Sequence, residues 1–224
     1  MPRSNAGNSA VRASFALAAL VALVALVALL WPVAGRAQGG MIEGTVTVPS
    51  ARKDGVVLYL VPDARSGGAA VAPVNADMDQ RELRFVPHVI AVTPGSTVNF
   101  SNTDRVRHNV FHPMEHGAGF DLGTWPPGES RSHTFTTQGA FVILCNVHPE
   151  MVGYVVVVAS PYRAVTDGEG RFRIEGVAPG SYRLRSWRRG LATREEGVTV
   201  TAGGVTRVAL PLKYGDAGEP EVKP

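Results

Sequence analysis

Beyond Ala37 no stretch of this chain repeats its apolar residues at a helical spacing. Short runs rich in Val, Ile, Phe and Tyr alternate with turns instead. The runs fall at residues 44–48, 56–61, 89–93, 98–102, 107–111, 132–135, 141–145, 152–158, 172–175, 182–187, 197–201 and 205–210. Between them stand Pro94-Gly95, Pro127-Gly128, Asp167-Gly168, Pro179-Gly180 and Gly203-Gly204. Gly tolerates positive φ and Pro presets φ, so each pair turns the chain cheaply. About a dozen short strands at this spacing predict an all-β fold of sandwiches or barrels. The length beyond Ala37 favours two of them.

The opening 37 residues read differently. Residues 13–33 hold no charge, and Arg3 and Arg12 are the only charges before them. Pro32 breaks the run, and Gly35-Arg36-Ala37 has small residues where a signal peptidase reads. This predicts a secretory signal peptide over residues 1–37, cleaved after Ala37. The alternative is an uncleaved anchor, since the run just reaches spanning length. In either case the remainder is exported to the periplasm or cell envelope, or secreted.

The whole chain has 22 Lys+Arg against 19 Asp+Glu. Arg3, Arg12 and Arg36 leave with the signal segment, which holds no acid, so the mature chain is neutral. The basic balance that would suggest a nucleic-acid partner thereby disappears.

One cysteine excludes disulfide frameworks and multi-cysteine zinc or iron–sulfur sites. That cysteine and all six histidines lie between His88 and His148. Cys145, His148 and Met151 stand three residues apart in Cys-Asn-Val-His-Pro-Glu-Met, between two apolar strands. A loop this tight turns all three donors toward one point, and His108 at a strand end supplies a fourth. A Cys/His/His plane with a weak axial Met is the blue-copper arrangement. Thiolate and thioether suit Cu(I) and imidazole suits Cu(II), so one ion can cycle between the two states.

An ordered set of residues then matches a known family. It comprises Arg84-Phe-Val-Pro-His88, the stretch 92–104 from Val92 to Asp104, His108-Asn109-Val-Phe, Phe120-Asp-Leu-Gly123, Gly128, Phe135, Gly139 and the Cys145 loop. This part resembles the cupredoxins, the plastocyanin/amicyanin/pseudoazurin family. The resemblance implies a Greek-key sandwich with His108, Cys145, His148 and Met151 as copper ligands. It also implies a supporting role for Asn109, tied by hydrogen bonds to the other ligand segment near Asn146. His148 would sit near the surface as the electron exit, with Val147 and Pro149 helping to line a docking patch. Pro149 fixes one φ in the loop and stiffens the ligand spacing.

Other histidines read less sharply. His112, Met114 and His116 fall on a loop near the copper end, either solvated or holding a second, weaker copper. His88 and His133 read as ordinary strand residues. Ser130 and Ser132 near His133 lack a placed acid and a nucleophile elbow.

Residues 165–187, with Asp167-Gly-Glu-Gly170, Pro179-Gly180 and Tyr182-Arg-Leu-Arg-Ser-Trp187, resemble the carboxypeptidase-regulatory-like, transthyretin-like sandwich. That family's opening strands fit Glu43-Gly44-Thr-Val46 and Gly55-Val-Val-Leu-Tyr-Leu60, which precede the copper segment. We therefore expect a cupredoxin inserted into a second, smaller sandwich. The alternative is that residues 40–66 add strands to the cupredoxin. The expected divisions are signal peptide 1–37, opening strands 38–69, cupredoxin 70–159, remaining sandwich 160–213 and disordered tail 214–224. Residues 161–213 carry ten Lys+Arg and five acids. Arg183, Arg185, Arg188 and Arg189 around Trp187 read either as a solvated face or as docking for an acidic redox partner.

Together these expectations describe an exported blue-copper protein, not an enzyme, carrying single electrons between redox protein partners. Nucleic acid is not an expected partner, and a membrane is one only if the anchor stays. The rival readings are a periplasmic copper chaperone, store or sensor, and a structural module with a degenerate copper domain.

Overall fold

The computed structural model describes residues 38–49, 52–63, 70–113 and 119–218. The predicted signal segment lies outside them, as do Met114 and His116. Among the described residues the regular structure is entirely β, in four sheets.

In the first sheet, β1 (Gly40–Thr47) lies between β13 (Arg171–Val177), antiparallel, and β16 (Val205–Pro211), parallel. The second runs β12 (Arg163–Val165), β2 (Val57–Pro62), β14 (Gly180–Trp187), β15 (Glu195–Val200). The third runs β4 (Arg84–Val86), β3 (Asn75–Arg81), β6 (Ser96–Asn102), β9 (Ser130–Phe135). The fourth runs β5 (Val89–Val92), β11 (Val152–Val157), β10 (Gly139–Leu144), β7 (His108–His112), β8 (Phe120–Trp125). β1 and β2, which precede the metal-capable residues, thus pair with strands that follow them.

Alternation along the strands builds the cores. Ile42 and Val46 of β1, Leu58 and Leu60 of β2, and Ile174 and Leu184 meet in one apolar cluster. Met78, Phe85, Phe100, Val110, Trp125, Phe135 and Ile143 meet in another, together with Cys145 and Met151. Gly44 shows why its position is glycine, because a Cβ there would collide with the Val208 carbonyl and the Phe172 ring.

Two strands break the alternation, and the reason joins the sandwiches. In β2 the even residues Leu58 and Leu60 enter the first core, while Val57, Tyr59 and Val61 face the other way. In β11 and the residue after it, Val155 and Val157 enter the second core, while Val156 and Val158 face away. Those outward sets meet one another, with Val89, Trp187 and Ala217, in a third buried cluster. Strands buried on both faces read as continuous apolar runs. Each fully buried side chain of this size contributes about 1.5–3 kcal/mol before the cost of ordering the chain. Residues 38–218 accordingly belong to one compact unit.

The structure adds strands that the apolar pattern hides. β3 alternates, but its buried positions are Met78 and Gln80 among acids. β4 and β12 are three residues long, and β8 fully buries only Trp125. Two expectations need correction. His88 lies in the turn between β4 and β5, its ring edge-on to Tyr154 at 5.6 Å, and is not a strand residue. The expected disordered tail is fixed over residues 214–218: Ala217 is buried and the Gly218 carbonyl accepts the Trp187 indole N–H at 3.1 Å. A buried indole needs an acceptor, and this backbone supplies it.

Candidate metal centre

β7 and β10 are neighbours in one sheet and pair at Phe111 and Leu144. His108 opens β7 and Cys145 follows β10, so the sheet sets them side by side. The chain then turns into β11, and the Met151 N–H donates to the His148 carbonyl at 3.0 Å. This turn returns His148 to the sheet end. His108 Nδ1 and His148 Nδ1 lie 3.0 Å apart, and each is 4.0 Å from Cys145 Sγ.

Those three distances define a triangle whose equidistant point is about 2.2 Å from each atom. First-row ions such as zinc bind nitrogen at about 2.0–2.1 Å and sulfur at about 2.3 Å. The donors therefore surround a point at coordination distance. Two imidazole nitrogens at 3.0 Å repel unless a proton or cation lies between them. His108 and Cys145 are buried and His148 is half-buried. Met151, 1% exposed, shares the apolar cluster of Cys145.

Hydrogen bonds hold the donors from behind. Asn109 Nδ2 donates to Asp121 Oδ1 at 2.7 Å and to the Gly123 carbonyl at 2.9 Å. Its Oδ1 accepts the Asn146 N–H at 3.2 Å, and its backbone N–H points at Cys145 Sγ at 3.4 Å. Asn109 thus ties β8, β7 and the ligand loop together. The β7–β8 register shifts between Asn109 and Phe111, opposite Gly123 at φ 75°. Such a bulge re-aims a side chain, and here it aims Asn109 along the sheet end.

Asp104, to which no sequence motif assigns a role, stands behind His108. Its Oδ2 lies 3.0 Å from His108 Nε2, with the imidazole fully buried. A carboxylate accepts, so Nε2 carries the proton and Nδ1 presents its lone pair to the site. The Leu83 N–H is the main cause that lowers the Asp104 carboxyl to about 2, helped by the Arg105 N–H and by His108. Asn102, itself buried, shapes this turn by donating to the Val106 and Trp125 carbonyls at 2.9 and 3.3 Å. The clue in the sequence was the spacing of Asp104 four residues before His108.

The remaining histidines stand apart. His112 Nδ1 donates to the Val142 carbonyl at 2.9 Å, and its ring meets Phe141 and Phe120. The other members of the expected second site, Met114 and His116, lie outside the described residues. His133 stacks on Phe120 at 3.8 Å. The arginine cluster splits in two. Arg183 and Arg185 pair with Glu195, and Arg183 also with Asp63. Arg188 and Arg189 line a cleft of about 190 Å³ with Arg52, Asp54, His88 and Trp187.

Residues 72–158 match the copper binding proteins of the plastocyanin/azurin family. Residues 150–213 match the carboxypeptidase regulatory-like domain. Among solved structures, a purple cupredoxin from Nitrosopumilus maritimus is 25% identical, covering 37% of this chain and 98% of its own, at TM-score 0.34. A copper-containing nitrite reductase from Thermus scotoductus SA-01 is 29% identical over 43% of this chain, at TM-score 0.35; the match spans 25% of the reductase. A reduced amicyanin variant is 23% identical, covering 53% of this chain and 98% of its own, at TM-score 0.35. No curated protein matches the chain. With this family and this His/Cys/His donor set, the cofactor is copper.

Proposed function

We propose that this chain, which joins a copper-binding domain of the plastocyanin/azurin family to a carboxypeptidase regulatory-like domain, is an exported one-electron carrier. The observation that carries the reading is the triangle of His108, Cys145 and His148, with donors at coordination distance from one point. Copper bound there supplies the one-electron step between Cu(I) and Cu(II). The protein's part is to keep the donors still while charge changes. His108 and Cys145 adjoin sheet strands, and Asn109 braces both segments. Met151, buried in the same cluster as Cys145, would offer its thioether as a fourth donor.

His148 is half-buried, and its neighbours Val147 and Pro149 are exposed, Val147 by 46%. This apolar rim is the proposed site where a redox protein docks and the electron passes. The apolar segment before Ala37 supports the reading that the carrier works in the periplasm or cell envelope. The copper domain is read as an insertion between β2 and β12 of the regulatory-like sandwich, which serves for attachment and partner placement.

The test is the spectrum of the purified chain with Cu(II). The wild type should show an intense visible thiolate-to-copper band and rapid electron self-exchange. Cys145→Ser should lose both while keeping its fold. A wild type that stays colourless after loading overturns the proposal. Copper handed readily to an acceptor, with slow self-exchange, would make it a copper-handling protein instead.

A further inference from the structure

Asp104 contacts no proposed copper donor atom, yet it is held more tightly than a surface carboxylate requires. Its Oδ2 accepts from His108 Nε2 at 3.0 Å and from the Leu83 N–H at 2.9 Å. Its Oδ1 accepts the Arg105 N–H at 2.7 Å, and its own N–H donates to Asn102 Oδ1 at 3.1 Å. The side chain is only 13% exposed.

The Leu83 amide reaches this position through a costly turn. β3 and β4 pair at Arg81 and Arg84, leaving Glu82 and Leu83 as a two-residue loop. Both have positive φ, 52° and 55°. Two-residue hairpins of this kind use Asn-Gly or Asp-Gly, because other residues pay sterically for the left-handed region. Leu83 is 40% exposed, so burial does not repay the conformation. Backbone strain that packing does not reward points to a function for the groups it places.

We propose that Asp104 is a positioning residue that lowers the copper reduction potential through His108, and that the strained β3–β4 turn holds it in place. The inference rests on the copper site proposed above. The carboxylate draws the Nε2 proton toward itself, which makes Nδ1 a stronger donor. Its negative charge near the metal favours Cu(II) over Cu(I). Second partners of this kind fix ring orientation and raise ligand basicity.

The test compares copper-loaded wild type, Asp104→Asn and Leu83→Gly. Asp104→Asn keeps an oxygen acceptor for Nε2 and removes the charge. It should retain the visible band while its potential rises by at least about 59 mV, a tenfold shift toward Cu(I). Leu83→Gly keeps the N–H, relieves the left-handed strain and should leave the potential in place. An Asp104→Asn potential below that threshold with the band intact overturns the role of Asp104. A large change in Leu83→Gly overturns the role of the amide. If Asp104→Asn fails to fold, proton NMR of the wild-type Cu(I) form decides. A downfield, slowly exchanging His108 Nε2–H supports the proposal, and a rapidly exchanging one overturns it. A wild type without the visible band removes the copper reading itself, whereas a wild-type band with an unmoved potential removes only this inference.

Discussion

The two sandwiches are built from the same material, yet they bury different polar groups. The copper sandwich encloses Gln80, Asn102, His108 and Asn109, all at most 2% exposed. Among the described residues its partner and the link between them enclose the hydroxyls of Ser160, Thr166 and Ser186 and the Trp187 indole N–H. These answer to nearby backbone, as when Thr166 donates to the Lys53 carbonyl at 2.7 Å and Ser160 to Leu60 at 2.7 Å. A buried hydroxyl closed onto backbone is a local repair. A buried imidazole and three carboxamides need a network, and an unsatisfied one costs about 1–3 kcal/mol. The copper sandwich sustains that network because it aims a lone pair, a thiol and a half-buried imidazole at one point. The second sandwich keeps its charge outside, where Arg183, Arg185, Glu195 and Asp63 pair in solvent. Exposed pairs like these contribute about 0–1 kcal/mol each. One half holds a poised site, and the other holds a stable frame.

The contrast can be strained hardest at the junction. Trp187 is 4% exposed, meets Tyr154 at 5.8 Å and belongs to the cluster between the halves. Trp187→Ala should cost about 3–5 kcal/mol in chemical denaturation. The copper spectrum should stay as in wild type, because no ligand contacts the indole. A changed spectrum with unchanged stability would dissolve the division between frame and site.

A smaller effect with the opposite signature is expected at Asn109. Asn109→Ala strands the Asn146 N–H and Asp121, and should cost about 1–3 kcal/mol. Copper affinity should fall by about 10–100-fold, as for other supports of metal ligands. Competition with a copper chelator measures this, and full affinity would show that the ligand loop holds its own shape.

The smallest expected effect separates the halves by pH. His88 is pushed below its ordinary value by burial first and then by Arg52. His133 is lowered by burial first and then by His112. The folded chain keeps both neutral to a lower pH than the unfolded chain, which takes up their protons first, below about pH 6.5. Stability from these groups is therefore present above that pH and lost as pH falls toward their folded values. Wild type should lose stability relative to His88→Gln and His133→Gln as pH is lowered through this window. Residues 161–213 contain no histidine, so the second sandwich enters this response only through charges beside His88 such as Arg52. Parallel curves for wild type and variants would place the pH response elsewhere.

How much was legible depends on what each residue signals alone. Val57–Val61 and Val155–Val158 announced strands because apolar β-branched residues suit both faces of a buried sheet. β3 stayed hidden because Gln80 looks polar to any pattern, although it is fully buried. The Cys145, His148 and Met151 spacing was readable because one loop carries all three. Asp104, Leu83, Asp121 and Gly123 were not, because their contributions are contacts made across turns and neighbouring strands. Arg183 and Arg188 looked like one cluster, yet one faces Glu195 on the sheet and the other faces a cleft with Arg52.

By itself the sequence determined an all-β fold beyond Ala37 and the placement of the one cysteine and all six histidines in one half. Local chemistry is enough for this, because strand period, turn residues and donor type are properties of short segments. Only the tertiary structure decided that strands far apart in sequence pair across the copper segment, such as β1 with β13 and β2 with β12. It also decided that the outward faces of β2 and β11 close on one another, and that a carboxylate held by a strained turn stands behind His108. Those choices depend on which surfaces exclude water together, and no segment carries that information alone.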